Sequence, residues 1–309
     1  MKIRKFLPII GLLIFAYLIH KVGFHNIVDS FREINPFYFI LFFFAIILFT
    51  IMQTYKWAIL VKNQGINVSF KDLLEMRFIG EFYNFLIPGR FGSLIRIIYL
   101  RDKTKKNIGE VSSNIIVDKI IDTFVVFLLA AIGAILLAKQ FSDLYWQVGL
   151  GFVLLLILIL FFKSQKRSKL IFKIIYKFFI PKNLKHKAEE SYELFFKSLP
   201  SMKSLIWPVS FGLVTWVVNF SAMYILAIAF HLNIPYIYFV TMFPIATIVT
   251  LIPITISGLG TRELALIALF SVFSISAADV IALSLTSYIL TILLSLIGLY
   301  FSFKLDLKA

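Results

Sequence analysis

The chain contains no cysteine, so it carries no disulfide, no thiolate nucleophile and no cysteine metal site. Its four histidines are scattered, and no two of them have a spacing suited to a metal. The chain also lacks the glycine patterns of the phosphate-binding loop and of dinucleotide-binding folds. We therefore predict no metal, no nucleotide-driven motor and no cofactor. Charge is scarce as well, because charged residues make up 15% of the chain and about 25% of a soluble domain.

Apolar residues take the place of the missing charge. They form 60% of the 309 residues, and mean hydropathy is +0.93. Apolar runs long enough to cross a bilayer recur along the chain, which excludes a soluble enzyme. The net charge of +15 lies mainly between these runs, a pattern typical of cytoplasmic membrane loops rather than of a nucleic-acid surface. The composition predicts an all-α polytopic membrane protein.

Six apolar runs predict full membrane spans. The second is closed by Lys56 and Lys62. The first follows a basic head and has no small-residue cleavage site after it, so we expect an uncleaved span rather than a signal peptide. The six runs cover residues 6–19, 37–60, 111–137, 145–162, 205–230 and 277–303.

Two further apolar stretches, residues 70–100 and 236–273, are interrupted by proline, glycine and charge. Both contain the tripeptide Leu-Ile-Pro, ending at Pro88 and at Pro253. If every basic loop is cytoplasmic, each stretch enters and leaves by one face, and the two have opposite orientations. We predict two re-entrant or broken helical hairpins in an inverted repeat, which is the sequence pattern of many transporters. The alternative is that each stretch forms two ordinary spans, although each stretch is short for two full crossings of the bilayer.

We predict a single integral membrane domain over residues 1–309, with both termini cytoplasmic. The segment 163–203 holds eleven Lys or Arg against three Glu and predicts an amphipathic helix at the cytoplasmic interface. The other parts are residues 1–35 (first span and external loop), 36–162 (first half, with hairpin 70–100) and 204–309 (second half, with hairpin 236–273).

The two breaks carry the residues for which we predict a substrate-binding role. A helix restarting after a break offers free N–H groups, and a nearby arginine adds a full positive charge. Two such breaks near the membrane midplane would form an anion site, most naturally for phosphate. Alternatively, the arginines lie at interfacial depth and pair with Glu81 or Glu263. The predicted substrate-binding residues are Gly89, Arg90, Gly92, Arg96, Ser257, Gly258, Gly260 and Arg262.

Several acids accompany these arginines. Asp118 and Asp122 share one helix face because they are four residues apart. They neutralise the arginines in an ion-pair network, relay protons, or coordinate a cation; we favour the network. Arg77 and Glu81 have the same spacing and can pair along one helix. We assign a charge-network or gating role to Glu81, Asp118, Lys119, Asp122 and Glu263, and we predict no catalytic residue.

Three motifs resemble the transmembrane region of lysylphosphatidylglycerol synthases, also called the UPF0104 or flippase-like family. Residues 84–96 resemble its LPGRxGExxR signature, 117–122 its VxERxxD segment, and 257–263 its GGxGxRE segment. Ser93 stands where the family has Glu, which removes one carboxylate. Asp118-Lys119 stands where the family has Glu-Arg, which preserves the charges. The resemblance implies a lipid-translocating membrane domain, fused in some members to an aminoacyl-transferase that we do not expect here.

These observations predict a flippase-like transporter in the cell membrane, rather than an enzyme, that moves an anionic phospholipid or a lipid-linked phosphate. The implied partners are the bilayer, an anionic lipid or polyprenyl phosphate, and no nucleic acid. One alternative is a membrane-embedded lipid-phosphate or glycosyl transferase that uses Asp118 and Asp122. The other is a non-catalytic membrane partner of a separately encoded lipid-modifying enzyme.

Overall fold

A computed structural model describes residues 15–169, 185–252, 255 and 258–305, with the backbone alone at 88–90. This part of the chain is helical and contains no strand, as predicted. The α-helices are α1 (Phe24–Arg32), α2 (Pro36–Asn63), α3 (Phe70–Leu86), α4 (Arg96–Thr104), α5 (Ile108–Leu136), α6 (Ser142–Lys163), α7 (Lys185–Lys197), α8 (Met202–Ala229), α9 (Tyr236–Leu251), α10 (Thr261–Phe270) and α11 (Ala277–Lys304). Two 3₁₀ helices, Pro88–Ile95 and Ser271–Phe273, flank α4 and α10. Residues 15–22 and 165–169 are helical as well.

Four of the described helices are long and apolar enough to cross a membrane: α2, α6, α8 and α11. This finding confirms a polytopic membrane protein. The predicted span at 111–137 is also a single helix, α5, of 29 residues. Charged residues crowd its first half, and this lowers its hydropathy. Residues 6–14 of the predicted first span lie outside the described residues.

The stretch at 70–100 folds as a helix, a break and a returning helix. α3 ends at Leu86 because Ile87 is extended and Pro88 has no N–H to continue the ladder. The arms of 17 and 9 residues are each shorter than the about 20 residues that cross a bilayer. Gly92 closes the hairpin, since a Cβ there would lie 2.0 Å from the Tyr83 carbonyl oxygen. A broken hairpin therefore forms in place of two ordinary spans.

The second interrupted stretch has the same plan. α9 ends at Leu251, Ile252 is extended, and the chain turns back through Gly258 and Gly260, both at positive φ. The arms, α9 and α10, have 16 and 10 residues and pack on each other. This stretch too is a broken hairpin.

The two halves are inverted relative to each other. Their first helices, α2 and α8, pack antiparallel: the Asn35 N–H donates to the Ala229 carbonyl at one end (2.9 Å), and Tyr55 contacts Phe211 towards the other (5.4 Å between ring centroids). These two corresponding helices therefore run in opposite directions, as an inverted repeat requires.

The hairpins are exchanged between the halves. α3 of the first hairpin packs on α11, and α9 of the second packs on α5. A glycine permits each close contact: a Cβ on Gly298 would lie 2.0 Å from the Phe78 carbonyl oxygen, and one on Gly133 would lie 2.1 Å from that of Thr241. Each half therefore holds the other half's hairpin through a backbone contact that only glycine allows.

The basic segment is described in part. α7 packs on α5, where the Ser191 carbonyl touches Gly109. The aromatic part of the predicted amphipathic helix, residues 172–179, lies outside the described residues.

Candidate functional site

A cavity of about 200 Å³ lies between the two halves. Both hairpins and the helices α2, α5, α8 and α11 line it. Among the described lining residues, four side chains are cationic and two are acidic. The charged and amide-bearing residues are Arg77, Glu81, Asn84, Arg96, Lys119, Asp122, Asn219 and Arg262. Of the residues predicted from the sequence, the cavity thus brings together Glu81, Arg96, Lys119, Asp122 and Arg262.

Arg96 is the first residue of α4, where the backbone leaves the break. Its Nε donates to the Ser93 carbonyl (3.1 Å) and its Nη2 to Asp118 Oδ2 (3.2 Å). The guanidinium also lies over the ring of Trp57, 4.6 Å from its centroid. Nη1 is buried and has no hydrogen-bond partner within the described residues. This N–H group is therefore left available to a ligand.

Arg77 is a second cation with an unpaired nitrogen. It lies on α3, one helical turn before Glu81, and its Nη2 is 3.8 Å from Glu81 Oε1. Its Nη1 is buried without a hydrogen bond in the described structure. Arg96 comes close to the same turn of helix, because its stem passes 3.1 Å from where a Cβ on Gly80 would stand. Since buried donors are nearly always paired, two such atoms around one cavity point to a ligand.

Asp118 and Asp122 both belong to an ion-pair network. Asp118 is fully buried and pairs with Arg96 and with Lys56, whose Nζ is 3.0 Å from Oδ1. Asp122 Oδ1 accepts from Lys56 (2.5 Å), from Gln53 (3.1 Å) and from the Trp216 indole (2.8 Å). The geometry therefore agrees with the network interpretation. Lys56 stands between the two carboxylates, where a coordinated cation would have to be.

Lys56, like Arg77, is a functional candidate that sequence analysis missed. The sequence interpretation treated it only as a charge near the end of a span, whereas its side chain is fully buried between two carboxylates. A signal was present: Gln53, Lys56 and Trp57 are spaced three and four apart, so they share one polar face of an apolar helix.

Arg262 of the second half is held by protein groups. Its Nε is 3.3 Å from Glu263 Oε1, and its Nη2 donates to the hydroxyls of Ser284 (2.5 Å) and Ser287 (2.9 Å). The guanidinium lies 4.1 Å from the centre of the Tyr288 ring. Arg262 faces the cavity, but the protein occupies most of its donors.

Glu263 caps the N-terminus of α10, the second helix start at which we predicted an anion site. Its Oε2 accepts the Gly260 N–H (2.5 Å) at the start of α10, and its other oxygen accepts from Ser284. An internal carboxylate thus takes the place that an external anion was predicted to fill.

The other predicted residues shape the breaks. Gly92 lies in the 3₁₀ helix Pro88–Ile95, and Gly258 and Gly260 lie in the second turn; none of the three is among the described residues that line the cavity. Gly89 and Arg90 belong to the 3₁₀ helix Pro88–Ile95, where the Arg90 side chain is outside the described part. Ser257 is outside it too. In the described ranges, no group of three or more His, Asp or Glu could hold a metal ion.

Residues 7–298 match the family described as "Lysylphosphatidylglycerol synthase TM region". The chain is 24% identical to a UPF0104 membrane protein of Methanocaldococcus jannaschii, over 95% of this chain and 93% of that protein. It is 21% identical to a UPF0104 membrane protein of Methanothermobacter thermautotrophicus, over 91% of this chain and 90% of the relative. The chain therefore belongs to the lysylphosphatidylglycerol synthase transmembrane region family.

Proposed function

We propose that this protein moves an anionic phospholipid or a lipid-linked phosphate between the leaflets of the cell membrane. The observation that carries the proposal is the pair of buried guanidinium nitrogens, Nη1 of Arg77 and Nη1 of Arg96, that lack a partner in the described structure. Both arginines line a cavity between two inverted halves. Substrate sites of inverted-repeat transporters lie at this interface.

Charge and geometry favour phosphate as the group that is bound. Guanidinium groups form paired hydrogen bonds with phosphate oxygens. Arg77 and Arg96 would hold the phosphate, and Arg262 would face it from the second half. A buried cation in a membrane protein is costly unless it has a partner or a role. A phosphate would give the two Nη1 groups the hydrogen-bond partner that the described residues do not supply.

The apolar part of the lining suits the rest of a lipid. Aromatic and aliphatic side chains share the cavity with the charged groups: Phe42, Ile46, Phe49, Phe78, Phe243 and Leu294. Such a wall accommodates glycerol or acyl carbons next to the head group. The transferase alternative needs a free carboxylate, and both Asp118 and Asp122 are paired with Lys56. Transport therefore fits the geometry better than catalysis.

Reconstitution in liposomes tests the proposal. The full chain is incorporated with a trace of fluorescent phosphatidylglycerol, and dithionite added outside bleaches the outer leaflet. We expect the wild type to expose inner-leaflet probe to bleaching. Arg77→Gln is expected to slow this movement at least about tenfold, because it removes one charge-assisted hydrogen bond.

Arg101→Gln is the matched control. Arg101 lies on α4 with Arg96, is partly exposed and pairs with Asp102 outside the cavity. We expect it to move the probe at the wild-type rate. If Arg77→Gln and Arg262→Gln both match the wild type as well, the assignment of the site is wrong. If the wild type does not exceed protein-free liposomes, the transport proposal itself fails.

A further inference from the structure

A phosphate bound to Arg96 would compete with Asp118 for the charge of one guanidinium. Nε is bound to the Ser93 carbonyl and Nη2 to Asp118, so Nη1 alone is without a partner in the described structure. A paired interaction with phosphate uses two nitrogens of the guanidinium. A phosphate that engages both Nη1 and Nη2 therefore shares Nη2 with Asp118, and the two anions repel each other across one guanidinium.

The weaker pairing with Arg96 carries a large free-energy cost for the Asp118 carboxylate. Its side chain is almost fully buried, at 1% exposure, and a buried carboxylate without a partner is strongly unfavourable. Some other cation has to compensate the negative charge of Asp118 when the ligand binds Arg96. Without one, Asp118 would hold Arg96 and exclude the ligand.

Lys56 is placed to be that cation. Its Nζ lies 3.0 Å from Asp118 Oδ1, and this oxygen has no hydrogen bond in the described part of the chain. A small shift of Nζ would complete the bond. Asp122 would tolerate the shift, because its Oδ1 also accepts from Gln53 and Trp216.

We propose that Lys56 is a positioning residue for the transported lipid: it keeps the Asp118 carboxylate paired when the lipid phosphate binds Arg96. Lys56 does not touch the lipid. It makes the Arg96 guanidinium available by keeping Asp118 paired throughout the exchange. This inference rests on the proposed function, since it needs a phosphate in the cavity.

Three variants of the full chain test the exchange by their affinity for a fluorescent short-chain phosphatidylglycerol in detergent micelles. Lys56→Met leaves Asp118 with Arg96 as its cation. Lys56→Met/Asp118→Asn frees Arg96. Lys56→Met/Asp122→Asn has the same net charge as that double variant but leaves Asp118 bound to Arg96. The midpoint of thermal unfolding is measured on the same samples, so that a loss of fold is recognised.

We expect Lys56→Met to bind about tenfold more weakly than the wild type, which corresponds to one charge-assisted hydrogen bond. The variant with Asp118→Asn should return to within about threefold of the wild type, and the variant with Asp122→Asn should stay weak. Equal affinity of the two double variants would overturn the proposal, because net charge alone would then explain the result. The double variants decide the question even if Lys56→Met does not fold. Failure of the proposed function is seen separately, as a wild type that binds the probe but does not move it in liposomes.

Discussion

The two halves of the molecule place an arginine after each helix break, and each arginine bonds a residue 22 positions further along the chain. Arg96 bonds the carboxylate of Asp118, and Arg262 bonds the hydroxyl of Ser284. Each guanidinium also lies over an aromatic ring, that of Trp57 in the first half and that of Tyr288 in the second. The same local plan is therefore present twice.

The halves differ in the surroundings of their arginines. In the first half, Arg77 and Arg96 each keep a buried nitrogen without a partner in the described structure. In the second half, Glu263 and two serines surround Arg262. The comparison teaches that a repeated fold need not carry a repeated function. The proposed phosphate contacts therefore come mainly from the first half, whereas most donors of Arg262 in the second half are bound by protein groups.

The largest effect is expected from breaking the first-half network at Lys56. Lys56→Met leaves Asp118 and Asp122 as two buried or nearly buried carboxylates with one fewer cation. Removal of one partner from a buried ion pair costs about 3–5 kcal/mol of folding stability. Thermal or denaturant unfolding of the purified protein in detergent measures the change.

Lys62→Met is the control for this variant, because Lys62 lies on the same helix and is exposed. We expect it to stay within about 0.5 kcal/mol of the wild type. If Lys56→Met were as stable as Lys62→Met, the first-half network would contribute nothing to the fold.

The second prediction concerns the contacts that exchange the hairpins. Gly133→Ala and Gly298→Ala each push a Cβ against a carbonyl oxygen of the other half's hairpin. Overpacking of this kind costs about 1–3 kcal/mol, and the two variants should be similar because their contacts are equivalent. Gly149→Ala is the matched control, since nothing lies within 4 Å of its Cβ position. A loss of stability in only one of the two variants would show that the two hairpins are not held in the same way.

Part of this arrangement could be predicted from the sequence. Pro88 and the glycines of the second turn stop a helix through local chemistry, so both breaks were correctly located. Asp118 and Asp122 were placed on one face because helical spacing is regular. These features depend on neighbours within a few residues.

The rest depends on contacts between distant segments. Lys56 is buried against α8, where its stem passes 3.5 Å from the Cβ position of Gly212. Ser284 and Ser287 satisfy Arg262 from another helix, and a serine in an apolar span carries no signal that it will do so. Arg77 pairs along its helix with Glu81 as expected, but nothing in the sequence showed that its Nη1 would have no partner in the described structure. The sequence therefore predicts where the helices break, but not which donors stay unpaired.

The smallest effect is expected in the second half, at Ser287. Ser287→Ala removes one hydrogen bond from Arg262 Nη2, which keeps the hydroxyl and the carbonyl of Ser284. A single bond of this kind contributes about 0.5–1.5 kcal/mol, and the remaining partners limit the loss to that range. Ser302→Ala on the same helix is the control, because the Ser302 hydroxyl bonds only a carbonyl of its own helix in the described structure. In detergent, the free energy of unfolding of Ser287→Ala should be slightly lower than that of this control and much higher than that of Lys56→Met. A loss of stability as large as that of Lys56→Met would mean that the second half depends on its arginine network as strongly as the first, and the contrast between the two halves would then be wrong.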